Sequence, residues 1–273
     1  MRAGFRLARV GLHLAYGIAT VALVYPWLAQ AGRLALKRRW SRQLLEMLGL
    51  QMQVSGGGIA APCLVVANHV SWLDVFAINA VAPAAFVCKD DVRDWPVIGW
   101  LVARTDSIFI ERGRRSAARH AAAGMRAALG AGMAVAVFPE GTTSDGGRVL
   151  PFHAGLLQPA IDTGCPVQPV ALRYRDASGA HSDAPAYIGD VTLWQTLRSI
   201  ALASGLQVEL DMLAPLTAAA ERRALAAAAR HAIERRVLDN RRWPPAGARA
   251  TLDAGDSRIE GGAHELTPAE NPV

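Results

Sequence analysis

From Gly56-Gly57-Gly58 onward the chain becomes a succession of short apolar runs separated by helical stretches, and this alternation limits the fold more than any other feature. CLVVA (63–67), AFVC (85–88), SIFIE (107–111), MAVAVF (133–138) and QPVALRY (168–174) read as strands buried on both faces. LQVELDML (206–213) alternates in polarity and is expected to be an edge strand. An Ala-rich stretch from about Ser116 to Leu129 is predicted helical, with Ser116 as its N-cap. A second helix is expected over 217–238, starting at Thr217. Strands that alternate with helices require an α/β fold: one mostly parallel sheet with helices on both faces.

The first 55 residues are different. Residues 10–29 contain no formally charged side chain, while Arg2, Arg6 and Arg9 precede them and Arg33, Lys37, Arg38, Arg39 and Arg42 follow. The length is close to that of a bilayer-spanning helix. His13 and Pro26 weaken a straight span, and a helix lying in the interface with its basic flanks on lipid phosphates is equally physical. The expected organisation is therefore a membrane-associating helical segment over 1–55, an α/β domain over 56–239, and a disordered tail over 240–273, rich in Pro, Gly and charge.

The net charge is +6, with 29 Lys and Arg against 23 Asp and Glu, which favours an anionic partner. No zinc-finger spacing and no interleaving of aromatic with basic residues points to nucleic acid, so the expected partner is the lipid bilayer. Cys63, Cys88 and Cys165 form no CxxC and sit in or beside apolar runs, as buried thiols of a reducing compartment do.

Two constellations carry chemistry, each just after a strand, where ligands of open α/β sheets bind. In Asn68-His69-Val70-Ser71-Trp72-Leu73-Asp74, the carboxylate can return to one ring nitrogen of His69, leaving the other to face a substrate proton. No serine or cysteine nucleophile accompanies the pair, which suits direct attack by a substrate hydroxyl. Alternatively, Ser71 and Asp74 form a helix-capping pair. In Phe138-Pro139-Glu140-Gly141-Thr142-Thr143-Ser144, a carboxylate and a glycine at a strand-to-loop junction offer charge and open backbone N–H groups. Between them, Arg112 closes the run Ile108-Phe109-Ile110-Glu111-Arg112 and would suit a phosphate.

Taken in order, Asn-His-x4-Asp, Phe-Ile-x-Arg, Phe-Pro-Glu-Gly-Thr and Cys165-Pro166-Val167-Gln168-Pro169-Val170 resemble the 1-acylglycerol-3-phosphate acyltransferase family. The resemblance runs from about Cys63 to Tyr174 and includes Phe86, Lys89, Trp95, Pro96, Ile98 and Gly99. It implies His69 as general base with Asp74 as its partner. It also implies acceptor binding by Glu140, Gly141 and Thr142, with Arg112, assisted by Lys89, on the phosphate; Asn68 is expected at the same site. The implied reaction moves a fatty acyl group from an acyl-CoA or acyl-acyl carrier protein thioester to the sn-2 hydroxyl of 1-acyl-sn-glycerol 3-phosphate, giving phosphatidic acid. No metal and no tightly bound cofactor are implied, and the expected location is the cytoplasmic face of the inner membrane.

Two positions depart from the family pattern. Thr143 stands where relatives carry Arg, removing a cation from the head-group site. Asp106 stands where relatives carry Gly, adding an anion near it. Acyltransferases of lyso-ornithine lipid also resemble this chain, including the run Glu140-Gly141-Thr142-Thr143-Ser144, so another lysolipid is the alternative acceptor. A thioesterase and a catalytically silent membrane-binding protein are the readings from other classes.

Overall fold

A computed structural model describes residues 2–110, 115–218 and 221–239. The segment that holds Glu111 and Arg112 and the tail from 240 on lie outside the described residues. The elements are α1 (Arg2–Leu23), α2 (Gln30–Leu48), β1 (Gln51–Gly56), β2 (Leu64–Ala67), α3 (Leu73–Val81), β3 (Ala85–Lys89), α4 (Ile98–Arg104), β4 (Ile108–Ile110), α5 (Arg115–Gly130), β5 (Val135–Val137), α6 (Gln158–Thr163), β6 (Val167–Arg175), α7 (Leu193–Leu202), β7 (Gln207–Met212) and α8 (Arg222–Leu238).

The strands form one seven-stranded sheet in the order β1-β7-β6-β2-β5-β3-β4. Every adjacent pair is parallel except β6 with β7. The α/β expectation is met. β7 is not an edge, however, because β1 pairs with it over six residues and takes the outer position. The expected domain boundary at residue 55 falls inside that strand.

The sheet separates two cores, and β2 shows how. Leu64 and Val66 face a cluster with Met125 and Leu129 of α5 and Ala229 and Ile233 of α8. Val65 and Ala67 face the other cluster, with Leu73, Ala77 and Ile78 of α3. Each β2 side chain is thus fully enclosed, as a central strand of a doubly covered sheet requires. Leu44, Leu45 and Leu48 of α2 belong to the second cluster. The N-terminal segment is therefore not an appendage: α2 is part of the domain core.

The uncharged stretch 10–29 is not one helix. α1 ends at Leu23, and a 3-10 turn at Tyr25–Trp27, with Pro26 inside it, reverses the chain into α2. Among the described residues no helix is long and apolar enough to cross a membrane. α1 instead packs on α2, where His13 and Trp40 stack at 4.6 Å. Arg6 caps the end of α7 by donating to the carbonyls of Ala201 and Ala203. Phe5, Leu12, Tyr16, Leu23, Val24 and Trp27 remain exposed on the outer side of this hairpin. α8 begins at Arg222 rather than Thr217.

Candidate active site

His69 follows the carboxyl end of β2, at the centre of the sheet, and Asp74 lies in the first turn of α3. Between them the chain bends so tightly that the carboxylate faces back along it. Asp74 Oδ2 accepts from His69 Nδ1 at 2.9 Å, from Val70 N at 2.7 Å and from Ser71 N at 2.9 Å. Its other oxygen, Oδ1, accepts from the phenol of Tyr174 at 2.7 Å. Asp74 thus does both jobs proposed for it: it satisfies the orphan N–H groups ahead of α3 and it orients an imidazole. With Nδ1 donating to the carboxylate, Nε2 is the nitrogen left to take a substrate proton.

The imidazole is held on a second side by Phe138, whose ring stacks on it at 4.0 Å and 7°. Phe138 follows β5, which pairs with β2, so the two strand ends bring the two sequence constellations together. The backbone is fixed as well. His69 N donates to Glu140 Oε1 at 2.9 Å, and Ser144 N donates to the His69 carbonyl at 2.8 Å. The loop 138–144 therefore clamps both backbone groups of His69.

Glu140 is almost wholly enclosed, and its second oxygen accepts from Leu150 N at 3.1 Å. Burial pushes its carboxyl up to about 7, against the two backbone hydrogen bonds, which favour the charged form. Both oxygens thus accept from backbone N–H groups, and one of them fixes the backbone of His69. Asn68 has the same character. Its side chain is fully buried, donating to the Leu172 carbonyl at 3.0 Å and accepting from Leu172 N at 2.8 Å. It joins β2 to β6, and the expectation that it touches substrate is corrected.

Gly141 occupies a left-handed conformation, φ 68°, and a Cβ there would meet the His153 ring at 3.2 Å. Its N–H donates to the Phe138 carbonyl at 3.1 Å, so it is not an open donor for a developing oxyanion, contrary to expectation. Thr142 is exposed on the same loop, and the Thr143 hydroxyl donates to the Tyr187 carbonyl. Lys89 ends β3, two strands from β2 in the sheet. Arg112 lies outside the described residues. Asp106 does not add its charge to this site: its carboxylate accepts from the Tyr25 hydroxyl at 2.5 Å and stands 3.5 Å from Lys37 Nζ, fastening the N-terminal hairpin to the domain.

Sequence reasoning passed over Tyr174 and Phe138 as site residues. Tyr174 was read only as the end of an apolar strand, and Phe138 only as a strand end and the first residue of the Glu140 motif, with no role of its own. No thiol competes with the dyad. Burial pushes the Cys63 thiol up to about 11 and that of Cys88 up to about 12, away from the reactive thiolate.

The Acyltransferase family model matches residues 51–173, which include β1, β2, the His69–Asp74 pair and the Glu140 loop. A lyso-ornithine lipid O-acyltransferase of Pseudomonas aeruginosa is 36% identical over 184 residues, covering 67% of this chain and 70% of that protein. The chain belongs to the acyltransferase family. A 1-acyl-sn-glycerol-3-phosphate acyltransferase of Neisseria meningitidis is 38% identical over 180 residues, covering 65% of this chain and 70% of its own length. The crystal structure of the 1-acyl-sn-glycerophosphate acyltransferase PlsC of Thermotoga maritima superposes with a TM-score of 0.61 at 25% identity, covering 87% of this chain and 99% of that one. None of these similar proteins is named as a thioesterase or as a silent membrane-binding protein.

Proposed function

We propose that this acyltransferase moves a fatty acyl group from an acyl thioester to the sn-2 hydroxyl of 1-acyl-sn-glycerol 3-phosphate, giving phosphatidic acid. The observation that carries the reading is the His69–Asp74 pair at 2.9 Å, with neither Ser71 nor Ser144, the nearby serines among the described residues, hydrogen-bonded to the imidazole. Ser71 Oγ accepts from Leu73 N, and Ser144 Oγ lies against the His69 carbonyl, so both hydroxyls serve the local backbone.

The acceptor alcohol is a poor nucleophile at neutral pH, and a positioned base contributes about 10²–10⁴-fold. His69 Nε2 takes the hydroxyl proton as the alkoxide oxygen attacks the thioester carbonyl. Asp74, held by Tyr174 and two backbone N–H groups, stabilises the imidazolium. The tetrahedral intermediate collapses with loss of the thiolate, which takes the proton from His69. The remaining acceleration comes from holding ester and alcohol in register. The donor is acyl-CoA or acyl-acyl carrier protein, with no bound cofactor required. The exposed apolar side chains and Arg9 of α1 are matched to an anionic bilayer, at the cytoplasmic face of the inner membrane.

One observation supports a second acceptor. A lyso-ornithine lipid O-acyltransferase is among the similar proteins, and Thr143 stands where the pattern of the resembled phosphate-acylating family has Arg. Purified enzyme given 1-acylglycerol 3-phosphate, lyso-ornithine lipid and other lysolipids with each thioester donor, and products identified by mass, tests the proposal. Phosphatidic acid as the main product is expected. Acylated ornithine lipid without phosphatidic acid overturns the first acceptor and installs the second.

A further inference from the structure

One trough is lined by Val191 and by the chain neighbours of three further exposed apolar side chains, Val97, Ile188 and Trp194. Val97, Ile188, Val191 and Trp194 are 44%, 40%, 36% and 60% exposed. The trough encloses about 490 Å³ and is walled by Trp95, Pro96 and Ile98 on one side and by Tyr187, Val191 and Leu193 on the other. That volume lies within the range of small-ligand sites. None of its lining residues is Lys or Arg, and Asp190 is the one carboxylate among them. The walls thus reject a phosphate and suit a hydrocarbon chain.

The trough adjoins the dyad through the backbone. Tyr187 N donates to the carbonyl of Val70, the residue after His69, at 3.0 Å, and the Tyr187 carbonyl accepts from Thr143 of the Glu140 loop. Its opposite wall is rigid. Gly99 fits only without a side chain, because a Cβ would come within 2.2 Å of the Arg93 carbonyl. Val97 is held at φ 64°, a conformation that costs a β-branched residue free energy and persists only where its surroundings enforce it. This gives a physical reason for the run Trp95-Pro96-Val97-Ile98-Gly99: it builds a fixed corner against which something apolar is laid.

We infer that this trough holds the existing acyl chain of the lysolipid acceptor, guiding the free hydroxyl toward His69. The occupant is the acceptor chain rather than the donor chain because the lining is mostly apolar and Trp194, which follows the lining residue Leu193, is an exposed side chain suited to a membrane interface. A lysolipid enters from the bilayer across such a surface, whereas the donor arrives from water on a polar carrier. The inference rests on the proposed lysolipid acyltransferase activity but not on the acceptor's head group.

The test uses the full-length enzyme and whichever lysolipid head group the wild type acylates, so that a wrong head group shows in the wild type before any variant is made. Ile98→Trp fills the trough, and Leu193→Ala widens it. With one donor held constant, Ile98→Trp is expected to lower kcat/KM for an oleoyl acceptor relative to a lauroyl acceptor by about tenfold or more, as an apolar pocket discriminates. Leu193→Ala is expected to move that ratio the other way, toward the oleoyl acceptor, and it decides the matter if the tryptophan variant does not fold: an unchanged ratio then overturns the inference. The ranking of lauroyl and oleoyl donors should stay as in the wild type. A changed donor ranking with an unchanged acceptor ranking overturns the inference, as do two folded, active variants with the wild-type acceptor ratio.

Discussion

The phenol of Tyr174, on β6, donates to Asp74 Oδ1 across 2.7 Å, although the two residues lie 100 positions apart in the chain. Both side chains are buried, and burial together with the neighbouring carboxylate raises the phenol well above its ordinary value, keeping it a neutral donor. Tyr174→Phe removes one donor and leaves a buried carboxylate oxygen unpaired. The expected cost is about 1–3 kcal/mol of stability. Because the same carboxylate orients His69, kcat should fall while KM for the acceptor changes little. Melting curves and steady-state kinetics on the purified variant check this. A variant that melts and turns over like the wild type would sink the positioning role.

His69→Ala should leave melting nearly unchanged, since the imidazole is partly exposed, but lower the rate by at least about 10²-fold. Asp74→Asn should fail in both respects. An amide puts an NH₂ where the carboxylate accepts from Val70 N, Ser71 N and His69 Nδ1, or where it meets Tyr174. A fully active but less stable Asp74→Asn would reduce Asp74 to a helix cap.

The strands β2, β5 and β6 were legible because doubly buried strands leave near-continuous apolar runs. β1 was not, since QMQVSG is half exposed and carries two glutamines, which mask its alternation. Missing β1 made β7 look like an edge. The dyad was legible because its two members lie in one turn. Tyr174 was not, because its partner is brought to it only by the sheet. Glu140 was located from its motif, but its role depends on which backbone N–H groups reach it, and sequence does not encode that locally. The same holds for Asp106, whose partners come from the N-terminal hairpin.

Glu140 should give the fold a pH dependence. Its carboxyl titrates at about 7 when folded, against an ordinary value near ~4.3 in the unfolded chain. Between those values the folded state keeps a proton that the unfolded state has lost. This group's contribution therefore falls as pH rises through that window and is constant on either side. Glu140→Gln should flatten this part of the profile. It should also lose one of the two backbone bonds, because the amide NH₂ faces either His69 N or Leu150 N. Melting temperatures of both proteins across the window provide the measurement. Parallel profiles would remove Glu140 as the cause.

Asp106 sets two effects against each other. Its φ of 59° lies in the left-handed region, where glycine is at ease and an aspartate costs roughly 1 kcal/mol. Asp106→Gly, the residue of the family pattern, relieves that cost. It also removes the acceptor of the Tyr25 hydroxyl and the counter-charge of Lys37. Lys37 is only 10% exposed, and burial lowers its pKa while Asp106 opposes that shift. Its ammonium would keep the Ala84 and Thr105 carbonyls but no anion. Breaking a well-buried pair costs about 3–5 kcal/mol, and this one, with Asp106 27% exposed, should cost less. The net expectation is destabilisation by roughly 1–2 kcal/mol. It should be concentrated at the hairpin, so that limited proteolysis cuts between α1 and α2 well before the sheet unfolds. Asp106→Asn separates the components, since asparagine tolerates the left-handed conformation and still accepts from Tyr25 but carries no charge. If Asp106→Gly melts higher than the wild type, backbone strain outweighs the clasp, and the hairpin is held by contacts such as the His13–Trp40 stack, the α2 leucines and the Arg6 hydrogen bonds to α7.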